Sequence, residues 1–371
     1  MSVPLDRKSH SYPESLPGCI CPAPESSSKS SFSTAHAFTV MSASPVTATG
    51  PSVSPSKASS SLTLVGSDTQ NVVYWGQNGA SAVENNDLTT YCKSNSDIDI
   101  IVLAFLNQYG NGQTIPSGSI GQSCSISTSG EPRECDALAA AIQQCQSNGI
   151  KVILSLGGAV GTYSLSSQQE AEIIGQNLWE AYGNTDGSDI PRPFGSTFVN
   201  GWDFDLERNS GNQYYQYLIS KLRSNFASDS SNTYYITAAP QCPIPEPNMQ
   251  EVVTKAQFDY LWVQFYNNPS CSVNNAINYD QWVSNIANTP SLNAKIFIGV
   301  PASPFGATGT QSGSQYYLAP SDLASLVSQH KGDTAFGGIM MWSASFSDAN
   351  VNNGCTYAQE AKHILSTGLP C

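Results

Sequence analysis

The sequence predicts an α/β fold, a (β/α)8 barrel preceded by a disordered serine-rich N-terminal segment. Three observations lead to this prediction. Eight short, apolar, β-rich runs recur at intervals too long for hairpins. Helix-like segments lie between several of these runs. The chain before residue 67 has the composition of a disordered segment.

The eight strand candidates alternate with helical segments over about 300 residues, which is typical of a (β/α)8 barrel. The strand candidates are 71–75, 98–105, 151–156, 201–206, 234–238, 260–265, 295–300 and 338–342. The clearest helix candidates are 134–148, 168–182 and 212–227. A doubly wound open sheet is the structural alternative, but no GxGxxG follows the first strand and no GxxxxGK[ST] occurs.

Residues 1–66 form the predicted leader. Of the 36 residues from Ser26 to Ser61, 14 are serine, with proline, threonine and alanine between them. Such a stretch cannot bury enough apolar surface to offset its chain entropy. We interpret it as a disordered leader or stalk and a candidate for O-glycosylation. Residues 67–371 then form one barrel domain.

The charge of the chain excludes some classes of protein. The net charge is -13, and the 66-residue leader holds only three of the 28 acidic residues. A nucleic-acid binder would need a basic face, so we expect no nucleic-acid partner. No run of 18 apolar residues occurs, so no transmembrane helix is expected.

The cysteines indicate an oxidising compartment. Cys19 and Cys21 lie in the leader, and the other eight form an even set that favours four disulfides. The alternative, free or metal-binding thiols, has no CxxC or Cys/His cluster to support it. We expect an extracellular protein, secreted or associated with the cell wall, although no apolar run follows residues 1–8 as a signal peptide would require.

The most informative segment is 200–207, which reads Asn-Gly-Trp-Asp-Phe-Asp-Leu-Glu. In a strand, alternate side chains point to opposite faces. One face then carries apolar side chains suited to packing against helices, Trp202, Phe204 and Leu206. The other face points into the barrel and carries three acids, Asp203, Asp205 and Glu207.

Three acids on one face suggest acid–base chemistry. Neighbours on a face are roughly 6.6 Å apart, so at least one pKa must rise and the group titrates as a coupled set. A carboxylic acid that stays protonated near neutral pH can serve as a general acid. The alternatives are a solvated acidic strand and a calcium or magnesium site, but no second oxygen-rich loop resembles an EF-hand.

The pattern Gly-x-Asp-x-Asp-x-Glu resembles the signature of glycoside hydrolase family 18. Further blocks, in the order of the family, resemble its hevamine-type (class III) branch of endochitinases. These blocks are Tyr-Trp-Gly-Gln-Asn-Gly at 74–79, Ser-Leu-Gly-Gly at 155–158, Ala-Ala-Pro-Gln-Cys-Pro at 238–243, Trp-Val-Gln-Phe-Tyr-Asn-Asn-Pro at 262–269 and Gly-Gly-Ile-Met-Met-Trp at 337–342. The family fold is a (β/α)8 barrel, in agreement with the strand count.

The resemblance implies a retaining mechanism assisted by the 2-acetamido group of the substrate. Glu207 would protonate the glycosidic oxygen and later activate water. Asp205 would hold the acetamido N–H, Asp203 would tune Asp205, and Tyr266 would donate its hydroxyl to the acetamido oxygen. The remaining predicted substrate-binding residues are Gln264, Asn267, Trp342, Tyr74, Gln77 and Gly158. Gly157 and Gly158 would let the backbone approach the cleft closely, and a simple tight βα turn is an equal alternative.

The resemblance also implies the disulfide pairs Cys92–Cys145, Cys124–Cys135 and Cys242–Cys271, which leaves Cys355 and Cys371 for each other. One position departs from the family pattern, because Asn200 stands where the motif usually has Asp. We expect this change to alter local hydrogen bonding without removing the chemistry.

The expected function is therefore that of an endochitinase that cleaves β-1,4 bonds between N-acetylglucosamine units. The alternatives are an endo-β-N-acetylglucosaminidase, a lysozyme-like hydrolase, and a non-catalytic carbohydrate binder or hydrolase inhibitor on the same barrel. We expect chitin or N-acetylglucosamine oligosaccharides as partners, a monomer, and neither metal nor cofactor.

Overall fold

The computed structural model of the chain describes residues 69–77, 85–186 and 189–371. The predicted leader at 1–66, with Cys19 and Cys21, lies outside the described residues. So do Asn78 and Gly79 of the first sequence block. The domain boundary between residues 66 and 67 therefore stays a prediction.

In the described part of the chain, eight parallel strands form a closed barrel. Each strand pairs with the next one along the chain, and the first pairs with both the second and the last. The barrel strands are β1 Gln70–Trp75, β2 Ile100–Gly110, β3 Lys151–Gly157, β4 Gly201–Asp205, β5 Tyr235–Ala238, β6 Tyr260–Gln264, β7 Lys295–Pro301 and β8 Phe336–Trp342. The predicted barrel and the positions of all eight predicted strands are confirmed.

Helices cover the outside of the barrel. They are α1 Asp136–Ser147, α2 Gln168–Tyr182, α3 Tyr215–Phe226, α4 Gln250–Lys255, α5 Tyr279–Ile286, α6 Pro320–His330, α7 Ala344–Asp348 and α8 Tyr357–Thr367, with 3-10 turns at Leu88–Tyr91, Asn212–Tyr214 and Gln311–Tyr316. Local signals set their ends: the Ser167 side chain caps α2, and Thr356 with Gln359 forms a capping box on α8. None of these described helices is long and apolar enough to cross a bilayer.

The second strand extends beyond its prediction. β2 continues to Gly110 and pairs there with an antiparallel strand, Gln113–Ile120, which the sequence patterns did not reveal. Further short strands at Cys124–Ile126 and Pro132–Arg133 extend this ladder, and Thr162–Tyr163 pairs with the end of β2. A small hairpin, Val351–Asn352 with Cys355–Thr356, precedes α8.

Two apolar layers hold the barrel together. The inner layer fills the barrel, and the outer layer lies between strands and helices. Four disulfides join the outer segments. Three are the pairs that the resemblance implies, Cys92–Cys145, Cys124–Cys135 and Cys242–Cys271, and the fourth is the remaining pair, Cys355–Cys371. They tie the loops and the C-terminus to the barrel.

Candidate active site

The alternation of β4 separates the acids from the apolar residues as the sequence predicts. Trp202 packs outward, 6.0 Å between ring centroids from Trp179 of α2 and 5.7 Å from Phe226 of α3. Phe204 packs edge-on against Tyr215 of α3. These contacts fix the opposite face of β4 toward the barrel interior, where it presents Asp203 and Asp205.

Asp203, Asp205 and Glu207 follow one another on the inner face of β4 and just beyond its end, and we call them the acid ladder. Asp203 lies at its base and has no exposed surface. Its carboxylate accepts four side-chain hydrogen bonds from four other strands. The donors are Tyr74 Oη at 2.7 Å, Ser155 Oγ at 2.6 Å, Thr237 Oγ1 at 2.7 Å and Trp262 Nε1 at 2.7 Å. Burial raises the pKa of Asp203, while these hydrogen bonds favour the charged form and act in the opposite direction. Asp203 is therefore held rigidly, with both oxygens occupied.

Asp205 lies one step higher and has fewer partners. Its carboxyl group accepts one hydrogen bond, 3.1 Å from Gln264 Nε2, whose amide also donates to the Ala239 carbonyl at 2.9 Å. Burial and the charges of Glu207 and Asp203 raise the pKa of Asp205 well above its usual range. Burial and these two charges, opposed by the hydrogen bond from Gln264, make Asp205 retain a proton more readily than an ordinary aspartate.

Glu207 follows the last residue of β4 by two positions and is only partly buried. Burial raises the pKa of its carboxyl group. Its backbone N–H donates to the hydroxyl of Tyr163 at 2.9 Å. Glu207 is thus the ladder member nearest to solvent, and its pKa shift is in the direction that a general acid needs.

Asp205 and Glu207 line a cleft of about 310 Å³ at the C-terminal end of the barrel. Eight predicted site residues line it, Gln77, Gly158, Asp205, Glu207, Gln264, Tyr266, Asn267 and Trp342. Five more lining residues escaped the sequence analysis, Phe105, Asn107, Ala159, Val160 and Ala307. Asn107 could have been found, because it is a polar residue just after the apolar run that predicted β2.

Two predicted residues lie beneath the cleft and not in its wall. Asp203 is one, in keeping with its predicted place below Asp205. Tyr74 is the other: it is 2% exposed, and its hydroxyl is used by Asp203. The geometry thus connects Tyr74 to the ladder, and the predicted contact of Tyr74 with substrate stays a prediction.

The cleft wall combines a phenol with stacked aromatic rings. Burial, with the charges of Asp205 and Glu207, keeps the pKa of Tyr266 well above its usual range, so its hydroxyl remains a donor. The ring of Trp342, at the end of β8, stacks on Phe105 with centroids 6.0 Å apart and planes 16° apart. Such a face suits contact with the apolar side of a sugar ring.

Asn267 and Gln77 extend polar groups along the same cleft. Asn267 has a positive φ of 63°, and its amide donates to the Ala307 carbonyl at 2.8 Å. The Gln77 amide donates to the Gly76 and Ala104 carbonyls. Backbone carbonyls therefore orient both side chains, and within the described residues no hydrogen bond occupies their amide oxygens, which can accept from hydroxyl groups.

Gly157 and Gly158 bring the end of β3 close to β4. A Cβ on Gly157 would lie 2.1 Å from the Asp205 carbonyl oxygen, and one on Gly158 would lie 2.9 Å from the Phe105 ring. Both have positive φ. Only glycine fits both constraints, and the predicted role of Gly158 in substrate binding stays a prediction.

Asn200 lies before β4, at the end of the barrel opposite the cleft. Its Oδ1 accepts hydrogen bonds from the Val152 N–H at 2.8 Å and from Gln146 Nε2 of α1 at 3.0 Å. It thus joins β3, β4 and α1, and within the described residues its side chain makes no hydrogen bond to the three carboxyl groups.

The family described as Glycosyl hydrolases family 18 matches residues 70–332 of the chain. A protein of Metarhizium robertsii named Endochitinase 2 is 64% identical over 311 residues, which cover 81% of this chain and 74% of that protein. The family match includes the first seven barrel strands and Asp203, Asp205 and Glu207, and it ends before β8.

Solved structures share the fold. A chitinase from Ipomoea carnea is 33% identical, with a TM-score of 0.64, and the match covers 79% of this chain and 98% of that one. A xylanase and α-amylase inhibitor protein from Scadoxus multiflorus is 30% identical, with a TM-score of 0.62, over 80% of this chain and 98% of that one. Barrels of this kind thus include an enzyme and an inhibitor, and the side chains of the cleft have to distinguish between these two roles.

Proposed function

The chain belongs to glycosyl hydrolases family 18, and on this premise we propose that it is an endochitinase that works by a retaining, substrate-assisted mechanism. One observation carries the proposal. Three carboxyl groups rise from a fully buried, fully hydrogen-bonded base at Asp203, through Asp205, to Glu207 at the cleft. Each therefore has a different proton affinity and a different access to substrate.

In the first step, the Glu207 carboxyl group donates its proton to the glycosidic oxygen as the bond to the anomeric carbon breaks. The carbonyl oxygen of the substrate's own 2-acetamido group attacks that carbon and forms a cyclic oxazolinium ion. An oxygen of the Asp205 carboxyl group accepts the hydrogen bond of the acetamido N–H and so orients the acetamido group for attack. The hydrogen bond from Gln264 supports this orientation of Asp205, and burial with the charges of Glu207 and Asp203 raises its pKa.

In the second step, Glu207, now a carboxylate, accepts a proton from water as the water oxygen attacks the anomeric carbon, and the bond from that carbon to the acetamido oxygen breaks. Two inversions at this carbon give net retention of the β configuration.

Other residues of the cleft support the reaction. During ring closure in the first step, the Tyr266 hydroxyl donates a hydrogen bond to the acetamido oxygen. The Trp342 face lies under the reacting sugar, and Gln77, Gln264 and Asn267 bind sugar hydroxyl groups.

An inhibitor or inert binder is the alternative from a different class, because the inhibitor from Scadoxus multiflorus has the same fold. Such a protein needs no acid whose pKa is raised at the cleft. The burial that raises the pKa of both Asp205 and Glu207 in this chain supports a catalytic site.

Product analysis on N-acetylglucosamine oligomers of defined length tests the proposal. We expect internal cleavage, with the β-anomer first in the NMR spectrum, and loss of cleavage by about 10³-fold or more in Glu207→Gln without unfolding. First appearance of the α-anomer would reject substrate assistance. Activity retained in Glu207→Gln would reject the acid assignment. Cleavage only of N-glycan cores would favour an endo-β-N-acetylglucosaminidase, and cleavage only of peptidoglycan a lysozyme-like enzyme.

Four disulfides and the fungal relative support an extracellular location for the protein. The monomeric state expected from the sequence stays a prediction. The proposed reaction proceeds with side chains and water, and we propose no cofactor for it.

A further inference from the structure

Tyr163 is a buried residue outside the predicted catalytic set, yet it contacts the backbone of the proposed acid. It is 4% exposed and lies in the short strand Thr162–Tyr163, which pairs with the end of β2. Its ring stacks on Tyr109 with centroids 5.7 Å apart and planes 19° apart. The phenol is therefore fixed by packing before any hydrogen bond is considered.

The Tyr163 hydroxyl joins two backbone groups of different loops. It donates to the Gly158 carbonyl at 2.8 Å and accepts from the Glu207 N–H at 2.9 Å. Burial raises the pKa of Tyr163 to about 12, so the hydroxyl keeps the proton that it donates. One oxygen thus satisfies both a donor and an acceptor.

A third hydrogen bond closes the arrangement into a ring. The Gly158 N–H donates to the Asp205 carbonyl at 2.7 Å. Gly158 therefore holds Asp205 directly through its N–H and Glu207 through its carbonyl and the Tyr163 hydroxyl. The segment 205–207, which carries the carboxyl groups of Asp205 and Glu207, is therefore held by hydrogen bonds at both of its ends.

The position of Glu207 explains why such a fastening matters. β4 ends at Asp205, so the Glu207 backbone lies beyond the ladder hydrogen bonds that order the strand. A catalytic group that shifts by about 1 Å can lose about 100-fold in rate. The Glu207 carboxyl group needs a support that the sheet does not give it.

We propose that Tyr163 is a positioning residue whose hydroxyl fixes the backbone of the general acid Glu207 against the β3–α2 turn. This inference rests on the proposed function. It assigns to Gly158 a backbone role in the same support. Tyr163 acts through Glu207 and does not touch the reacting atoms.

Tyr163→Phe tests the inference, with Tyr109→Phe as the matched control. Both changes remove one buried hydroxyl and keep the ring. Among the described residues, the Tyr109 hydroxyl makes a hydrogen bond to the hydroxyl of Tyr215 at 3.0 Å and none to residues 205–207. We expect kcat on a defined N-acetylglucosamine oligomer to fall about 10- to 100-fold in Tyr163→Phe, with KM nearly unchanged. We expect Tyr109→Phe to retain the kcat of the wild type.

Amide hydrogen exchange gives a readout that does not depend on activity. In Tyr163→Phe the peptide that contains Glu207 should lose protection, and in Tyr109→Phe it should not. Wild-type kcat together with wild-type protection of this peptide in Tyr163→Phe would overturn the inference. An inactive wild type would instead refute the proposed function, and the exchange comparison would then decide the inference alone. A fall in melting temperature that is equal in both variants, with equal kcat, would also overturn it.

Discussion

The Tyr74 hydroxyl donates to Oδ2 of Asp203 across 2.7 Å, so the first strand of the barrel is bonded directly to the base of the acid ladder. Tyr74 is 2% exposed and lies below the cleft. Two roles for Tyr74 are then open: it either binds sugar or supports Asp203 through this hydrogen bond. Kinetic constants distinguish them.

Replacing Tyr74 by Phe should lower kcat and leave KM nearly unchanged, because the lost hydrogen bond acts on Asp203 and not on bound sugar. Loss of one buried hydrogen bond to a carboxylate should also cost about 1–3 kcal/mol of unfolding free energy. Urea unfolding and steady-state kinetics measure the two effects. The control is Tyr357→Phe, which removes a buried hydroxyl that donates a hydrogen bond to the Leu318 carbonyl. Its unfolding free energy should fall without a change in kcat. A rise in KM alone for Tyr74→Phe would favour direct substrate contact.

The stability of the protein should depend on the proton held by Asp205. Its folded pKa is raised above the unfolded value, so the folded chain binds more protons than the unfolded chain. The contribution of Asp205 is full below the usual carboxyl pKa of about 4 and is lost as the pH rises through the raised folded value.

Urea unfolding from about pH 5 to about pH 8 checks this sign. We expect the unfolding free energy of the wild type to decline more steeply over this range than that of Asp205→Asn. The exposed acid Glu131 offers a control, and Glu131→Gln should retain the wild-type slope. Parallel slopes for the wild type and Asp205→Asn would contradict a raised pKa at this position.

Restoring the usual family residue at position 200 should have little effect on catalysis. The Oδ1 of Asn200 accepts from Val152 and Gln146, and a carboxylate oxygen in Asn200→Asp can accept both bonds. We expect the pH–activity profile to be unchanged and the melting temperature to shift by less than about 4 °C. A displaced pH optimum would show that position 200 is coupled to the ladder.

The sequence supported the prediction of the barrel because its strands are locally encoded. Apolar, β-branched runs marked all eight strands, and the alternation at 202–207 predicted which face of β4 carries the acids. The antiparallel strand Gln113–Ile120 escaped because its polar, serine-bearing sequence has no apolar alternation. Its place depends on pairing with β2, which is a tertiary contact.

The residues that support the catalytic acids could not be predicted from the sequence, for a different reason. Tyr163 meets the Glu207 backbone across 44 positions of the chain, and Trp262 meets Asp203 across 59. No local pattern marks a tyrosine or tryptophan as a hydrogen-bond partner of a distant acid. Motif blocks located the cleft residues, but only the closed fold shows that Tyr74 lies under the cleft.

The four donors to Asp203 also bear on how the chain folds. They come from β1, β3, β5 and β6, so their hydrogen bonds to β4 form together only once the sheet has curled through most of its circumference. A half-formed barrel leaves this carboxylate buried with missing partners or exposed to water, and either state is less favourable. Assembly of the reaction centre and completion of the barrel are therefore one cooperative event. A partly folded chain has no active form, and enzymatic activity reports the last stage of folding.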